Sequence, residues 1–253
     1  MYAEERLEYM LQRARRDGRV DVAALAEELS VTAETIRRDL TALERQGLLR
    51  RVHGGAIPVE RLRFEPSVAV RDALMQAEKE RIAKAALEEV PEQGTILLDA
   101  GTTTARLAAI LPAERELTVV TNALPIAMAL AGRPNCTLLM VGGRIRGRTL
   151  AAVDDWATRV LQDTCVDVAF VGTNGVSAER GLTTPDLSEA AVKRAMLASA
   201  RRRVVLADHT KFGSDHFARF GSIDDVDVLV SDSGLDPGVA EQLATLGPQV
   251  VRA

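Results

Sequence analysis

Residues 31–55 read VTAETIRRDLTALERQGLLRRVHGG, and this stretch decides the N-terminal fold. Thr32 supplies a hydroxyl cap ahead of a helix expected to run to about Gln46, and Gly47 supplies the stop. Within that helix Ile36, Leu40 and Leu43 form one apolar stripe. Thr32, Thr35 and Arg38 fall toward the opposite side, with Arg37 beside them. Short strands at 48–52 and 56–59 then flank His53-Gly54-Gly55, the pattern of a two-stranded wing.

Toward the N-terminus the same logic gives two more helices. Leu7, Met10, Leu11 and Ala14 recur at helical spacing until Asp17-Gly18. Val20 reads as a short edge strand, and Asp21 caps a helix with Val22, Leu25, Ala26 and Leu29 on one face. Three helices and a wing make a winged helix-turn-helix, with boundaries expected at 1–59. Such a unit lays its third helix in the major groove of double-stranded DNA. Between Ile36 and Gly54 there are five arginines against two acids, although the whole chain carries a net charge of −4. A positive face this narrow suits one docking element better than general attraction to polyanions. Arg37 and Arg38 have the fork that pairs with guanine, while Thr32 and Thr35 can reach a base edge or a phosphate. Arg50, Arg51 and His53 on the wing are expected at phosphates or the minor groove. Asp39 is expected to orient an arginine.

Residues 60–75 have weak periodicity and are expected to form a linker. From 76 to 253 the pattern is α/β. A helix is expected at 77–90, and apolar strands at 95–99, 117–121, 137–141, 166–172, 203–208, 226–231 and 249–252. Helices at about 103–111, 123–131, 154–164, 188–200 and 237–246 alternate with them. Strands separated by helices imply a mostly parallel sheet covered on both faces. Cys136 and Cys165 sit in strand-like segments without metal-ligand spacing and are expected as buried, reduced thiols. The charged start MYAEERLEYM has no apolar signal core, and no apolar run is long enough for a bilayer. A cytoplasmic protein without membrane, metal or cofactor follows as the expectation.

Strand TILLDA leads into GTTTARLA, so Asp99, Gly101, Thr102, Thr103 and Thr104 form a loop that opens a helix. A helix N-terminus with hydroxyls offers a phosphate amide donors, partial positive charge and further hydrogen bonds. The same threonines also suit a plain helix cap. Thr121-Asn122, Gly142-Gly143-Arg144 and the Gly172–Gly175 turn add polar groups after three more strands, where open α/β sheets collect ligands. Only four lysines (79, 84, 193, 211) stand against twenty-eight arginines. Lys193 follows Glu189 by four residues, so a surface ion pair competes with a point charge for a phosphate. Lys211, in a strand-end loop, is the better phosphate candidate. Lys79 and Lys84, on an amphipathic helix, are expected to be solvated.

TIRRDLTALERQGLLRRVHGGA resembles the signature of DeoR-family bacterial transcriptional regulators. The segments EKERIAKAA, LLDAGTTT, LTVVTNAL, VGGRIRGRT, AFVGTNG, GLTTPDLSEAAVKRAM and LADHTKFG match that family's second domain. The resemblance implies a sensor domain similar to the ribose-5-phosphate isomerase and glucosamine-6-phosphate deaminase folds, with a phosphorylated sugar as effector. It also implies a pocket made of Asp99, Gly101 to Thr104, Asn122, Gly142, Gly143, Gly175, Glu189, Lys193, Asp208 and Lys211. This chain has Asp154 where the family often has Gly, and His209 where it often has Ser. GGRIRGRTLAAVDDWA and LADHTKFGSDHFARF look most like regulators of fructose uptake, which makes fructose 1-phosphate the expected effector. Symmetric operators favour an even-numbered homo-oligomer, a dimer or tetramer.

The rival expectation is a sugar-phosphate isomerase or deaminase with an accessory winged-helix domain. It needs a positioned acid or base, for which Asp99, Asp167 and Glu189 are candidates. No acid–histidine relay is legible among the three histidines, and neither a GxSxG motif nor a paired-histidine metal site is present. No catalytic residue is therefore expected.

Overall fold

The computed structural model describes residues 2–17, 19–52, 54–58 and 65–253. The chain divides into two compact units, Met1–Pro66 and Ser67–Ala253.

In the first unit α1 (Ala3–Asp17) is followed by β1 (Val20–Asp21), α2 (Val22–Glu28) and α3 (Ala33–Arg45), then β2 (Leu49–Val52) and β3 (Gly55–Pro58). Each helix end has a local cause. Asp21 accepts hydrogen bonds from the Ala23 and Ala24 amides and so opens α2. Thr32 accepts from the Thr35 amide at 3.1 Å and opens α3. Gly47, at φ 72°, ends α3, with its amide bonded to the Glu44 carbonyl and that of Leu48 to the Leu43 carbonyl. The three strands pair in the order β1-β3-β2, all antiparallel. Only glycine fits at 55, since a Cβ there would lie 2.0 Å from the Val20 carbonyl oxygen across the pairing. Met10, Leu25, Ile36, Leu40, Leu43 and Leu49 close the core. Across its edge the buried Arg6 donates to Asp39 at 2.6 Å, so Asp39 does orient an arginine.

The second unit opens with α4 (Val68–Ala73) and α5 (Gln76–Ala86). The main sheet begins with β4 (Gln93–Leu98), α6 (Thr102–Ala109), β5 (Glu116–Thr121), α7 (Leu124–Leu130) and β6 (Cys136–Met140). A hairpin of β7 (Arg144–Arg146) and β8 (Ala151–Val153) leads to α8 (Asp155–Gln162) and β9 (Val166–Gly172). Next come β10 (Gly175–Ser177), β11 (Gly181–Thr184), α9 (Leu187–Ser199), β12 (Ala200–Leu206) and β13 (Ala218–Gly221). The unit closes with β14 (Val228–Ser231), α10 (Pro237–Ala244) and β15 (Gln249–Arg252).

All seven expected strands form one parallel sheet, ordered β15-β14-β12-β9-β4-β5-β6. Side chains alternate between its faces. Leu97, Ala169, Val171 and Val205 join a core with α8, α9 and α10. Ile96, Leu98, Phe170 and Leu206 join the other core with α5, α6 and α7. The chain winds outward from β4 in one direction and then, from β9, in the other. The topological switch point therefore lies between β4 and β9, and ligands of open α/β sheets gather outside the strand ends there.

Several expectations need correction. The β7–β8 hairpin and the antiparallel sheet β10-β11-β13 were not expected, because these strands are three or four residues long and carry no readable alternation. The 60–75 stretch contains helix α4, capped by Ser67. None of its residues is buried, which explains the weak periodicity. Cys165 is exposed, since it lies just outside β9, and Cys136 is only half-buried at the start of the edge strand β6. Lys79 is buried rather than solvated, at 3% exposure. Among the described residues no helix is long and apolar enough to cross a membrane.

Candidate nucleic-acid interface and effector site

On the first unit the face of α3 away from the core carries Thr32, Thr35, Arg37, Arg38, Thr41 and Arg45 around one shallow groove. Arg38 and Arg50 are exposed and make no hydrogen bond or ion pair among the described residues. Arg37 is exposed beside Glu34, at 3.2 Å. Thr32 and Thr35 share a hydrogen bond of 2.9 Å at the helix start. Arg51 differs from its neighbours. Its guanidinium turns onto α3, donating to the Arg37 carbonyl at 3.2 Å and to Thr41 Oγ1 at 3.0 Å, so it braces the wing against the helix. His53 lies outside the described residues.

On the second unit the cleft forms where the topology predicts it. Asp99 follows β4 and is almost wholly buried. Its Oδ2 accepts from the Gly172 amide at the end of β9 (3.0 Å) and from the Lys193 ammonium. Lys193 also donates to the Gly172 carbonyl at 2.9 Å and lies 5.6 Å from the centre of the Phe220 ring. It thus pairs with Asp99, not in a surface pair with Glu189. Burial pushes the Asp99 carboxyl above its ordinary range, against the pull of the Lys193 charge. Glu189 accepts from Arg146 at 2.6 Å and from the Thr149 hydroxyl. Burial pushes it up, but the Lys193 charge and these bonds outweigh that and hold it below its usual range.

The first turn of α6 faces this floor. Gly101 caps the helix through extended backbone, and a helix start leaves its first amides without intrahelical partners. Thr104 donates to the Asp99 carbonyl at 2.7 Å, which ties the loop down. Thr102 and Thr103 are buried to more than nine-tenths, line the cleft, and have hydroxyls with no hydrogen bond among the described residues. Amides, hydroxyls and the positive end of the helix dipole are thus gathered at one place, the physical arrangement that favours an anion.

Cations stand around it. Lys211, one-third exposed, lies 3.6 Å from Asp208 and 3.3 Å from the Thr210 hydroxyl. Asp208 is buried, yet Lys211, Thr210 and Lys79 outweigh desolvation and hold it below its ordinary value. Lys79 and Arg71 also line the cleft. Burial pushes the Lys79 ammonium down to about 8, with Lys211, Arg106 and Arg71 adding to the shift and Asp208 opposing it. Lys79 escaped the sequence reading although a signal existed. Lys79, Ile82, Ala83 and Ala86 are the buried face of α5 and share helical spacing.

The remaining expected pocket residues do other work. Asn122 is buried with its amide committed, accepting from the Ala100 amide at 3.0 Å and donating to the Ala152 carbonyl at 3.1 Å. Gly142 and Gly143 lie at the β6–β7 turn and do not line the cleft. A Cβ at Gly143 would come within 2.5 Å of the Val153 carbonyl oxygen. Gly175 also lies outside the lining, where a Cβ would meet the Ser214 carbonyl oxygen at 2.2 Å. Gly143 and Gly175 thus permit close backbone approach, whereas a Cβ at Gly142 would meet nothing within 4 Å.

Residues 6–61 match the DeoR-like helix-turn-helix domain, and residues 75–233 match the DeoR C terminal sensor domain. The chain belongs to the DeoR family of transcriptional regulators. This DeoR-family chain is 37% identical over 235 residues to the HTH-type transcriptional regulator GlpR of Haloferax volcanii, covering 93% of this chain and 91% of that one. It is 31% identical over 230 residues to the glycerol-3-phosphate regulon repressor of Escherichia coli, covering 88% of each. Among solved structures, ribose 5-phosphate isomerase A of Methanocaldococcus jannaschii aligns over 54% of each chain at 19% identity and a TM-score of 0.40.

An acid–histidine pair does exist, contrary to the sequence reading. Asp232 Oδ1 accepts from the His209 amide at 2.8 Å, and Oδ2 lies 2.8 Å from His209 Nδ1. The partners are separated by twenty-three positions in sequence and meet only because β12 and β14 are neighbours. Neither residue lines the cleft described above.

Proposed function

We propose that this DeoR-family regulator represses a sugar-catabolism operon and leaves its operator when a phosphorylated sugar fills the switch-point cleft. Arg37, Arg38 and Thr35 read the major groove, and Arg50 meets phosphate beside it. Two copies, as a dimer or within a tetramer, engage a two-fold operator, since one recognition helix covers only a half-site. Fructose 1-phosphate is the first effector to try, supported by the likeness of residues 142–157 and 206–220 to regulators of fructose uptake. The protein works in the cytoplasm, where its DNA and sugar phosphates are found.

The observation that carries this reading is the state of the cleft's polar groups. Its donors, Thr102, Thr103 and the first amides of α6, await an anion, whereas its acids are already engaged. Asp99 is held by Lys193 and the Gly172 amide, and Glu189 by Arg146 and Thr149. Asp167 lies at the opposite, amino end of β9 and accepts from the Thr95 amide at 2.9 Å. A general base needs a carboxylate or imidazole within reach of the substrate proton. Binding without turnover is what this arrangement supports.

The test is to titrate fructose 1-phosphate into the operator-bound full chain while assaying the same samples for product. Release of DNA with no product is the expected result. A coupling of ~1–3 kcal/mol would weaken operator binding about 5- to 150-fold. Steady turnover would replace the sensor reading with an enzyme.

A further inference from the structure

Helix α4 is attached to the sensor unit in an unusual way. None of its residues is fully buried, and its apolar side chains Val68 and Val70 are only half-buried. It is tied down by polar bonds from two helices that meet at the cleft. Lys79 on α5 donates to the Leu74 carbonyl at 2.6 Å and to the Arg71 carbonyl, both at the C-terminal end of α4. Arg106 on α6 donates to the Asp72 carboxylate at 2.5 Å and to its carbonyl at 3.2 Å. The same Arg106 holds the Thr102 carbonyl at 3.2 Å, in the first turn of the cradle helix. Met75, at φ 54°, provides a left-handed turn between α4 and α5.

The charges around this strap are lopsided. Arg71 on α4, Lys79 on α5 and Lys211 in the loop after β12 all line one cleft. Arg71, Arg106 and Lys211 each disfavour the charged form of Lys79. An ammonium has three donors, and Lys79 spends two on α4 carbonyls. The third is left for a group in the cleft.

We propose that Arg71 and Lys79 complete the anion site and that α4 is a strap, drawn down onto the sensor unit by a phosphoryl group bound at the start of α6. The inference rests on the cleft being the effector site. A phosphoryl group there is bonded from below by the α6 amides and Thr102, and from above by Arg71 on the strap itself. It relieves the repulsion among Arg71, Lys79 and Lys211 and bridges α4 to the sheet. The strap is the first element of the sensor unit, reached directly from residues 60–66.

Hydrogen–deuterium exchange on the full chain tests this, with fructose 1-phosphate, inorganic phosphate and fructose as separate probes. Thermal shift in the same buffers reports whether each probe binds. Fructose 1-phosphate, and inorganic phosphate at higher concentration, should slow exchange over 68–74 by about tenfold, since a clamped segment exchanges only on opening. Fructose should do nothing. Asp72→Ala should raise exchange of α4 in the free chain, because it cuts the tie to Arg106 at an exposed position. Arg71→Gln should abolish the ligand-induced slowing of α4 while keeping that at Thr102–Thr104. If a phosphate probe stabilises the chain and protects the start of α6 but leaves α4 unchanged or faster, the strap is wrong and the cleft stands. If neither phosphate probe stabilises the chain or protects α6, the cleft reading falls and the strap with it.

Discussion

Lys193 bridges Asp99 and the Gly172 carbonyl, and so pins together the two strands, β4 and β9, between which the sheet reverses direction. The pair is nearly inaccessible to water. Lys193→Met leaves a buried carboxylate without its cation, which costs about 3–5 kcal/mol. Chemical denaturation of the variant should show that loss, and Asp99→Asn in the same chain should recover part of it. A Lys193→Met chain as stable as the parent would mean that Asp99 is protonated in the native state.

Thr102→Val removes one of the two cradle hydroxyls, and Lys211→Ala removes a one-third-exposed cation of the cleft. Neither residue belongs to the DNA-reading unit. Operator affinity should be unchanged in both variants, whereas the sugar-phosphate concentration needed for release should rise at least tenfold, about 1.4 kcal/mol per decade. Fluorescence anisotropy with labelled operator reads both quantities. Normal release from either variant would move the phosphate site elsewhere.

Arg38 is exposed on α3 and bonded to nothing among the described residues, while Arg51 is tied to α3. The two arginines should therefore fail differently. Arg38→Ala should weaken specific operator binding by ~1–3 kcal/mol and relax discrimination at one base pair, with no change in melting temperature. Arg51→Ala should lower the thermal stability of the winged unit as well. Unchanged discrimination in Arg38→Ala removes it from the base-reading set.

The winged unit was legible almost to the residue, because its signals are local. Caps at Asp21 and Thr32, a glycine stop at 47 and a 3.6-residue stripe each act within one turn. The seven main strands were legible for a similar reason, being apolar runs, the central ones buried on both faces and the edge strands β6 and β15 less so. What stayed hidden depends on partners far apart in sequence. Asp99 and Lys193 are ninety-four positions apart, so the sequence offers only the nearby Glu189 as a partner for Lys193. Asp232 and His209 meet through strand order alone. Gly143 and Gly175 show that strand-end glycines report close backbone approach as readily as a ligand.

Asp154 makes a related case, because its conformation is visible only in the structure. At φ 78° and ψ −171° it occupies a region that is almost exclusive to glycine, the residue often found there in the family. Arg144 holds its carboxylate at 2.6 and 3.3 Å in an exposed pair that contributes little. Asp154→Gly should therefore stabilise the sensor unit by about 1 kcal/mol, the part of the strain left after glycine's greater unfolded-state freedom. A lower melting temperature for the variant would show that the Arg144 bond outweighs the backbone term.

Lys79 sets the pH range over which the cleft can work. Its ammonium titrates near 8 in the folded chain against 10.5 ordinarily. Between these values the unfolded chain binds more protons, so Lys79 makes the free protein more stable as pH rises from about 8 towards 10.5. Ligand binding has the opposite sign, because a phosphoryl group needs the charged ammonium. A phosphate monoester is already doubly ionised above its second pKa of about 6, so sugar-phosphate affinity should be nearly flat from about pH 7 to 8. Above that it should fall by up to about tenfold per unit as Lys79 loses its proton. Asp208, Lys211, Arg106 and Arg71 are the charges that face Lys79. Calorimetric titrations of the parent and of Lys79→Met isolate the effect. The variant should bind more weakly at pH 7 and lose the alkaline fall, and a parent affinity that stays constant to about pH 9.5 would take Lys79 out of the anion site.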